Sequence, residues 1–330
     1  MIPMRDTPRL WLGAIAALML AAGPAQADAW APNPPLQKVA TLLATWHDAA
    51  RNRDVPVKIY YPANASAPCP LIIFSHGLGG NREGYSYLGE RWAADGFICV
   101  HVQHLGSDDA VWRDAGAGGY AALKQSVADP ANAINRVYDV KFAITRMLEL
   151  NKEAGSPFKG LVNGGEIGMA GHSFGAWTTL AVTGETVKSG VFFVDPRIKA
   201  AIAMSAPVVG GTAAAVGMFT GVRVPVFHMT GTRDYSPIGD TTAPERRIPY
   251  DQSSVPGTCL LILNGADHMT FSGHAFGVYR SDDARFQALI LPASVAFWNA
   301  TLRGNTAARE WLYHGGFAAM LGTQGTFESR

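Results

Sequence analysis

The chain has 330 residues, 48% of them apolar and 16% charged, with 27 basic against 26 acidic residues and a formal net charge of +1. That balance leaves no basic field to hold nucleic acid or an anionic membrane surface. The length and apolar fraction fit one large α/β domain or two small ones.

At the start of the chain, Arg5 and Arg9 precede an apolar run, Leu10 to Ala22, that ends in the small-residue site Ala25-Gln26-Ala27. The run is shorter than the ~20 residues that span a bilayer, so residues 1–27 read as a cleaved signal peptide. A secreted or periplasmic protein with no stable membrane insertion is expected. The leader holds Arg5, Arg9 and Asp6, which makes the mature chain formally neutral. No internal repeat or low-complexity linker divides residues 28–330, and one domain is expected there.

From Lys38 to Pro62 polar and apolar residues alternate, most clearly over Val55 to Tyr61, as in an antiparallel strand pair at a sheet edge. Pro70 to Phe74 is a continuous apolar strand. It is followed by the glycine-rich turn Ser75-His76-Gly77-Leu78-Gly79-Gly80, a helix carrying Leu88 and Trp92, and a second buried strand from Phe97 to Gln103. Apolar strands alternating with helices imply a mostly parallel sheet covered on both faces. Leu105 to Ser126 is polar, glycine-rich and unpatterned, which predicts a surface loop near the strand ends. Asp129-Pro130 then caps a long helix with Val137, Val140, Ile144 and Met147 at helical spacing.

The short strand Ile167 to Ala170 runs into Gly171-His172-Ser173-Phe174-Gly175 and then a small-residue helix. Two glycines let the backbone turn sharply and hold the central serine in a strained conformation with its hydroxyl outward. Ser173 is thus a candidate nucleophile at a helix N-terminus, where unpaired N–H groups and the helix dipole favour developing negative charge. Further strands are expected at Ile198 to Met204, Val224 to Thr230 and Cys259 to Asn264. Pro207 to Gly221, between the first two, reads equally as a flap over a pocket or as a partly buried loop or helix. Helices over Ala284 to Leu302 and Ala307 to Tyr313 close one face, with Phe286, Leu289, Val295 and Trp298 as core.

The three cysteines, Cys69, Cys99 and Cys259, show no metal spacing and read as buried thiols, with a Cys69–Cys99 bridge as the alternative. His101 and His104, three apart, suit neither a strand face nor a ligand signature and read as packing or site rim. No metal or cofactor is called for.

A serine hydroxyl needs a base to take its proton and an acid to orient that base. Asp234 follows the Val224 strand in Gly231-Thr232-Arg233-Asp234, and His268 follows the last strand in Gly265-Ala266-Asp267-His268. Serine, acid and histidine at successive strand ends is the chain order of the α/β-hydrolase fold. His274 is the rival base; Asp195 precedes a strand, and Asp267 is expected to point away from its neighbour. The backbone N–H groups of Leu78 and Phe174 are the candidate oxyanion donors, and the side chains of Leu78, Phe174 and Trp177 the candidate substrate contacts.

His76-Gly77-Leu78-Gly79-Gly80, Gly171-His172-Ser173-Phe174-Gly175 and Gly265-Ala266-Asp267-His268 together resemble the secreted esterase branch of the α/β hydrolases that contains platelet-activating-factor acetylhydrolase-like and dienelactone-hydrolase-like proteins. The likeness runs from about Val55 to His274. It implies an exported serine esterase that forms an acyl-enzyme on short-acyl or small esters. A polyester or lipid hydrolase, a serine peptidase and a non-catalytic binding protein of the same fold are the alternatives. In acetylhydrolases of the plasma type the acid follows the strand directly after the nucleophile helix, where this chain has Ser205. Asp234 stands at the place used by dienelactone hydrolases and polyester-cleaving cutinases. A pocket narrowed by 207–221 would favour short acyl groups.

Overall fold

The computed structural model describes residues 1, 30–31, 36–186, 190, 193–273 and 283–330. The expected signal peptide and the rival base His274 lie outside the described residues. In chain order the elements are β1 (Val39–Asp48), β2 (Arg53–Pro62), β3 (Cys69–Ser75), α1 (Ser86–Ala94), β4 (Ile98–Val102), α2 (Ala110–Ala115), α3 (Gly119–Ala128), α4 (Pro130–Leu150), β5 (Val162–His172) and α5 (Phe174–Thr183). They continue as β6 (Ile198–Met204), α6 (Gly211–Ala214), β7 (Val226–Arg233), α7 (Ile248–Asp251), β8 (Cys259–Asp267), α8 (Asp283–Thr301), α9 (Thr306–Tyr313), α10 (Gly316–Leu321) and β9 (Gly325–Ser329).

The strands form one nine-stranded sheet in the order β1-β2-β4-β3-β5-β6-β7-β8-β9. Pairing is parallel from β4 through β8, while β1, β2 and β9 add antiparallel. Alternate residues of a strand point to opposite faces, and here both faces are covered. Ile72 and Phe74 join a core with Trp92 of α1 and Trp298 of α8. Leu71 and Ile73 join another with Val137, Val140, Ile144 and Met147 of α4. This mixed sheet between two helix layers is the α/β architecture expected from the strand pattern, and it is consistent with a hydrolase fold. Asp129 caps α4 as its sequence implies, accepting from the Ala131 N–H at 2.9 Å.

Three segments differ from their sequence expectation or resolve it. Residues 105–126, expected as a loop, contain α2 and most of α3. Gly116, Gly118 and Gly119 interrupt any helical period, and the apolar side chains pack on the β3–α1 turn instead of the sheet: Trp112 Nε1 donates to Gly79 O at 2.9 Å. After α9 the chain adds α10 and then β9, whose five residues pair with β8 at the sheet edge. The 207–221 segment is part wall and part core, with Ala215 and Phe219 buried against Ala176 and Leu180. All three cysteines are buried free thiols, which excludes the Cys69–Cys99 bridge. No described helix is long and apolar enough to cross a membrane.

Candidate active site

Ser173 sits at the junction of β5 and α5 with φ 56 and ψ −118, a left-handed backbone that a side chain adopts only under constraint. The constraint is close backbone packing. A Cβ on Gly175 would drive into the Ser75 carbonyl of β3, and one on Gly171 into the Gly175 carbonyl. The Ser173 N–H is tied to Met204 O of β6 at 2.9 Å. The hydroxyl is thereby lifted out of the sheet at its C-terminal edge, half-buried.

Two more strand ends bring partners to it. His268 follows β8, and its Nε2 lies 2.8 Å from Ser173 Oγ while its Nδ1 lies 2.8 Å from Asp234 Oδ1. Asp234, after β7, is fully buried and its Oδ2 accepts from Thr230 Oγ1 at 2.8 Å. A carboxylate can only accept, so Nδ1 carries the proton and Nε2 presents a lone pair to the hydroxyl. Burial acts to raise the Asp234 carboxyl, but the hydrogen bond from His268 and the charge of Arg246 outweigh it and hold it well below the usual carboxylate range.

Arg246 is itself buried, with Nε 3.2 Å from Asp234 Oδ1 and 3.1 Å from Asp234 O. Its Nη1 donates to Ser205 O at 2.8 Å, so this position, left-handed at φ 54, serves the acid side through its carbonyl. Asp267 turns away to cap its own 3-10 turn, accepting from Met269 N–H. Asp195 pairs with Arg197.

The other described histidines near the cleft are occupied. His172 Nε2–H donates to His268 O at 2.8 Å, and its Nδ1 accepts from Tyr85 OH at 2.9 Å. Tyr85 in turn accepts the Gly77 N–H at 3.1 Å. Burial, with the neighbouring His268 ring, pushes His172 down to about 3, so it stays neutral as this chain of bonds requires. His104 is locked between Ser75 Oγ at 2.9 Å and Asp139 at 3.0 Å, and His101 stacks on Phe74. Both are packing residues.

The Phe174 N–H is the first of α5, among those without an intrahelical partner. The β3–α1 turn comes alongside: a Cβ on Gly77, the residue before Leu78, would stand 3.4 Å from Ser173 Cβ. Leu78, Phe174 and Trp177 all line a cleft of about 1180 Å³ with Ser173 and His268 at its floor. Its walls come from α2–α3 (Trp112, Tyr120, Leu123), from Pro207 to Gly210, and from the loop after β7. Tyr120 OH reaches Pro237 O at 3.3 Å across the mouth. Among the described residues no cluster of three or more His, Cys, Asp or Glu could hold a metal ion. The arrangement can activate the Ser173 hydroxyl through a base that a buried carboxylate orients.

Arg246, Tyr85 and the α2–α3 wall were missed in the sequence. A lone arginine in a loop carries no period, and Tyr85 is marked only by the left-handed backbone (φ 61) it adopts before α1.

Comparison with known proteins gives matching likenesses. The family model described as platelet-activating factor acetylhydrolase, isoform II, matches residues 36–117. That match takes in β1 to β4 and the His76–Gly80 turn and ends before Ser173. Platelet-activating factor acetylhydrolase of Cavia porcellus is 27% identical over 174 residues, covering 46% of this chain and 38% of the relative. The protein of that name from Canis lupus familiaris is 27% identical over 178 residues, covering 44% and 38%. The chain thus matches well under half the length of these curated relatives.

Proposed function

We propose that this chain is an exported serine carboxylic-ester hydrolase, with residues 28–330 as one catalytic domain. The reading is carried by one observation: the unbroken contact from Ser173 Oγ to His268 Nε2 and from Nδ1 to Asp234 Oδ1, each step 2.8 Å. Ser173 Oγ adds to the ester carbonyl as His268 takes its proton, and the oxyanion receives the Leu78 and Phe174 N–H groups. His268 then protonates the departing alcohol, leaving an acyl-enzyme. Water, deprotonated by the same imidazole, releases the carboxylic acid and restores the serine.

The relatives are named for removing an acetyl group, and this supports a short acyl side. A cleft of about 1180 Å³ exceeds what a small ester fills, so the apolar walls are assigned to a bulky alcohol portion. The same volume favours a second reading, a lipid or polyester hydrolase that takes a long or aryl acyl group. A p-nitrophenyl ester series separates the two: acetate faster than palmitate is expected, and the reverse order would establish the second. Ser173→Ala should abolish turnover and fluorophosphonate labelling with the fold unchanged, a loss of at least about 10⁴-fold in kcat. Undiminished hydrolysis in that variant would end the proposal.

A further inference from the structure

Arg136 projects from α4 on the helical face of Val140, Ala143 and Met147, and it is fully buried. Among the described residues no carboxylate lies within ion-pairing distance of it. Its hydrogen bonds go elsewhere. Nε donates to Ser107 Oγ at 2.8 Å, Nη1 to His76 O at 2.7 Å, and Nη2 to Gly77 O at 3.4 Å and Ser107 O at 3.3 Å. The guanidinium carbon also lies 4.2 Å from the centre of the Phe174 ring.

The two turn carbonyls matter because of the peptide between Gly77 and Leu78. That unit is planar and trans, so the Gly77 carbonyl and the Leu78 N–H point in opposite directions. Whatever grips the carbonyl aims the amide. Gly77 O accepts from Arg136, from the Gly80 N–H at 3.1 Å and from His76 Nδ1 at 2.6 Å. His76 Nε2 accepts the His104 N–H at 3.0 Å, which assigns the ring proton to Nδ1 and makes it a donor here. Donors on the carbonyl oxygen also polarise the peptide and strengthen its N–H. One buried cation therefore touches the carbonyl of the peptide that carries the Leu78 amide and the ring of Phe174. Burial pulls its pKa down to about 9, which still leaves it charged at neutral pH.

We propose that Arg136 is the positioning residue of the oxyanion site: it holds the Gly77–Leu78 peptide with its N–H toward the reacting carbonyl and places fixed positive charge behind it. The inference rests on the ester-hydrolase reading and deepens it. It assigns to a fully buried side chain, remote from substrate, a share of transition-state stabilisation.

The test compares Arg136→Met and Arg136→Lys with the unaltered protein, using p-nitrophenyl acetate kinetics and inhibition by phenylboronic acid, whose serine adduct places an oxygen where the oxyanion forms. Loss of one oxyanion donor typically lowers kcat by about 10²–10³. Arg136→Met should approach that loss with KM within about threefold. Arg136→Lys, which keeps the charge and loses the fork, should fall about tenfold, and the boronate Ki should rise by the same factors. Added guanidinium at low millimolar concentration should restore part of the rate of the methionine variant. Folded variants that keep kcat within about twofold, or that lose rate with boronate affinity unchanged, would overturn the assignment. Should the methionine variant fail to fold, the lysine variant decides by the same measurements. A wild-type protein without Ser173-dependent hydrolysis would instead overturn the esterase reading, and the inference with it.

Discussion

On one side of Ser173 the ends of β7 and β8 bury Arg246 against the Asp234 carboxylate, with Nε 3.2 Å from Oδ1. On the other, the β3–α1 turn sits over Arg136, whose partners are a hydroxyl and backbone carbonyls. Both arginines are buried, yet their charge is used differently. Arg246 shares the Asp234 oxygen with His268, so the acid side is close to neutral and its geometry is set by hydrogen bonds. Among the described residues Arg136 has no carboxylate in contact, Asp139 and Asp108 acting on it only from beyond ion-pairing distance, and it lies beneath the β3–α1 turn. A buried ion without a paired counter-ion carries a desolvation cost of several kcal/mol, which the proposed oxyanion role would put to use.

The comparison can be broken most directly at the acid. Asp234→Asn removes the acceptor that fixes the His268 tautomer and should lower kcat/KM by about 10⁴-fold, measured on the substrate that works best for the wild type. A loss of only a few fold would mean that Arg246 or another group orients the imidazole.

A smaller effect sharpens the contrast between the two cations. Arg246→Met leaves the His268–Asp234 bond in place, so kcat/KM should fall by less than about tenfold, the equivalent of about 1.4 kcal/mol. Thermal stability should fall more clearly, because the Ser205 and Asp234 carbonyls lose their donor, at about 1–3 kcal/mol for a buried acceptor left unpaired. Loss of activity as large as that of Arg136→Met, measured side by side, would erase the distinction between the two sides.

The prediction with no effect on catalysis concerns a third buried ionisable group, just past the end of α5. Glu185 is buried, and burial raises its pKa from 4.5 to about 8. The folded state then holds the proton more tightly than the unfolded chain, so stability is greatest below pH 4.5 for this group and declines as pH rises through the window to about 8. Glu185→Gln removes that decline. Its melting temperature relative to wild type should rise steadily between pH 5 and pH 8.5, with kcat unchanged. Parallel melting curves across that range would show that Glu185 meets a cation.

Much of the molecule was legible beforehand, because local rules and tertiary packing agree there. The apolar strands β3 to β8 read as strands since parallel strands buried on both faces need no alternation, and Asp129-Pro130 marked the start of α4. Ser173, Asp234 and His268 were legible as candidates from their places after strands, and the structure brings them together. Residues 105–126 were not legible: their apolar residues are few, broken by glycines, and packed against a turn. The five-residue β9 was hidden for a related reason, since a short edge strand half exposed to solvent carries little pattern. Arg136 did leave a trace, four residues before Val140 on the buried stripe of α4. An arginine on a helix reads as solvated until the turn above it is known.

The sequence alone therefore determined which residues could turn, strand by strand, and which side chains had chemistry to offer, because backbone strain, apolar runs and glycine spacing act over a few neighbouring residues. Only the tertiary structure decided what stands behind those side chains. The grip of Arg136 on Gly77, of Arg246 on Asp234 and of His172 on the His268 carbonyl each join segments 12 to 96 residues apart. Hydrogen bonds of that reach exist only once the sheet has set its strand order.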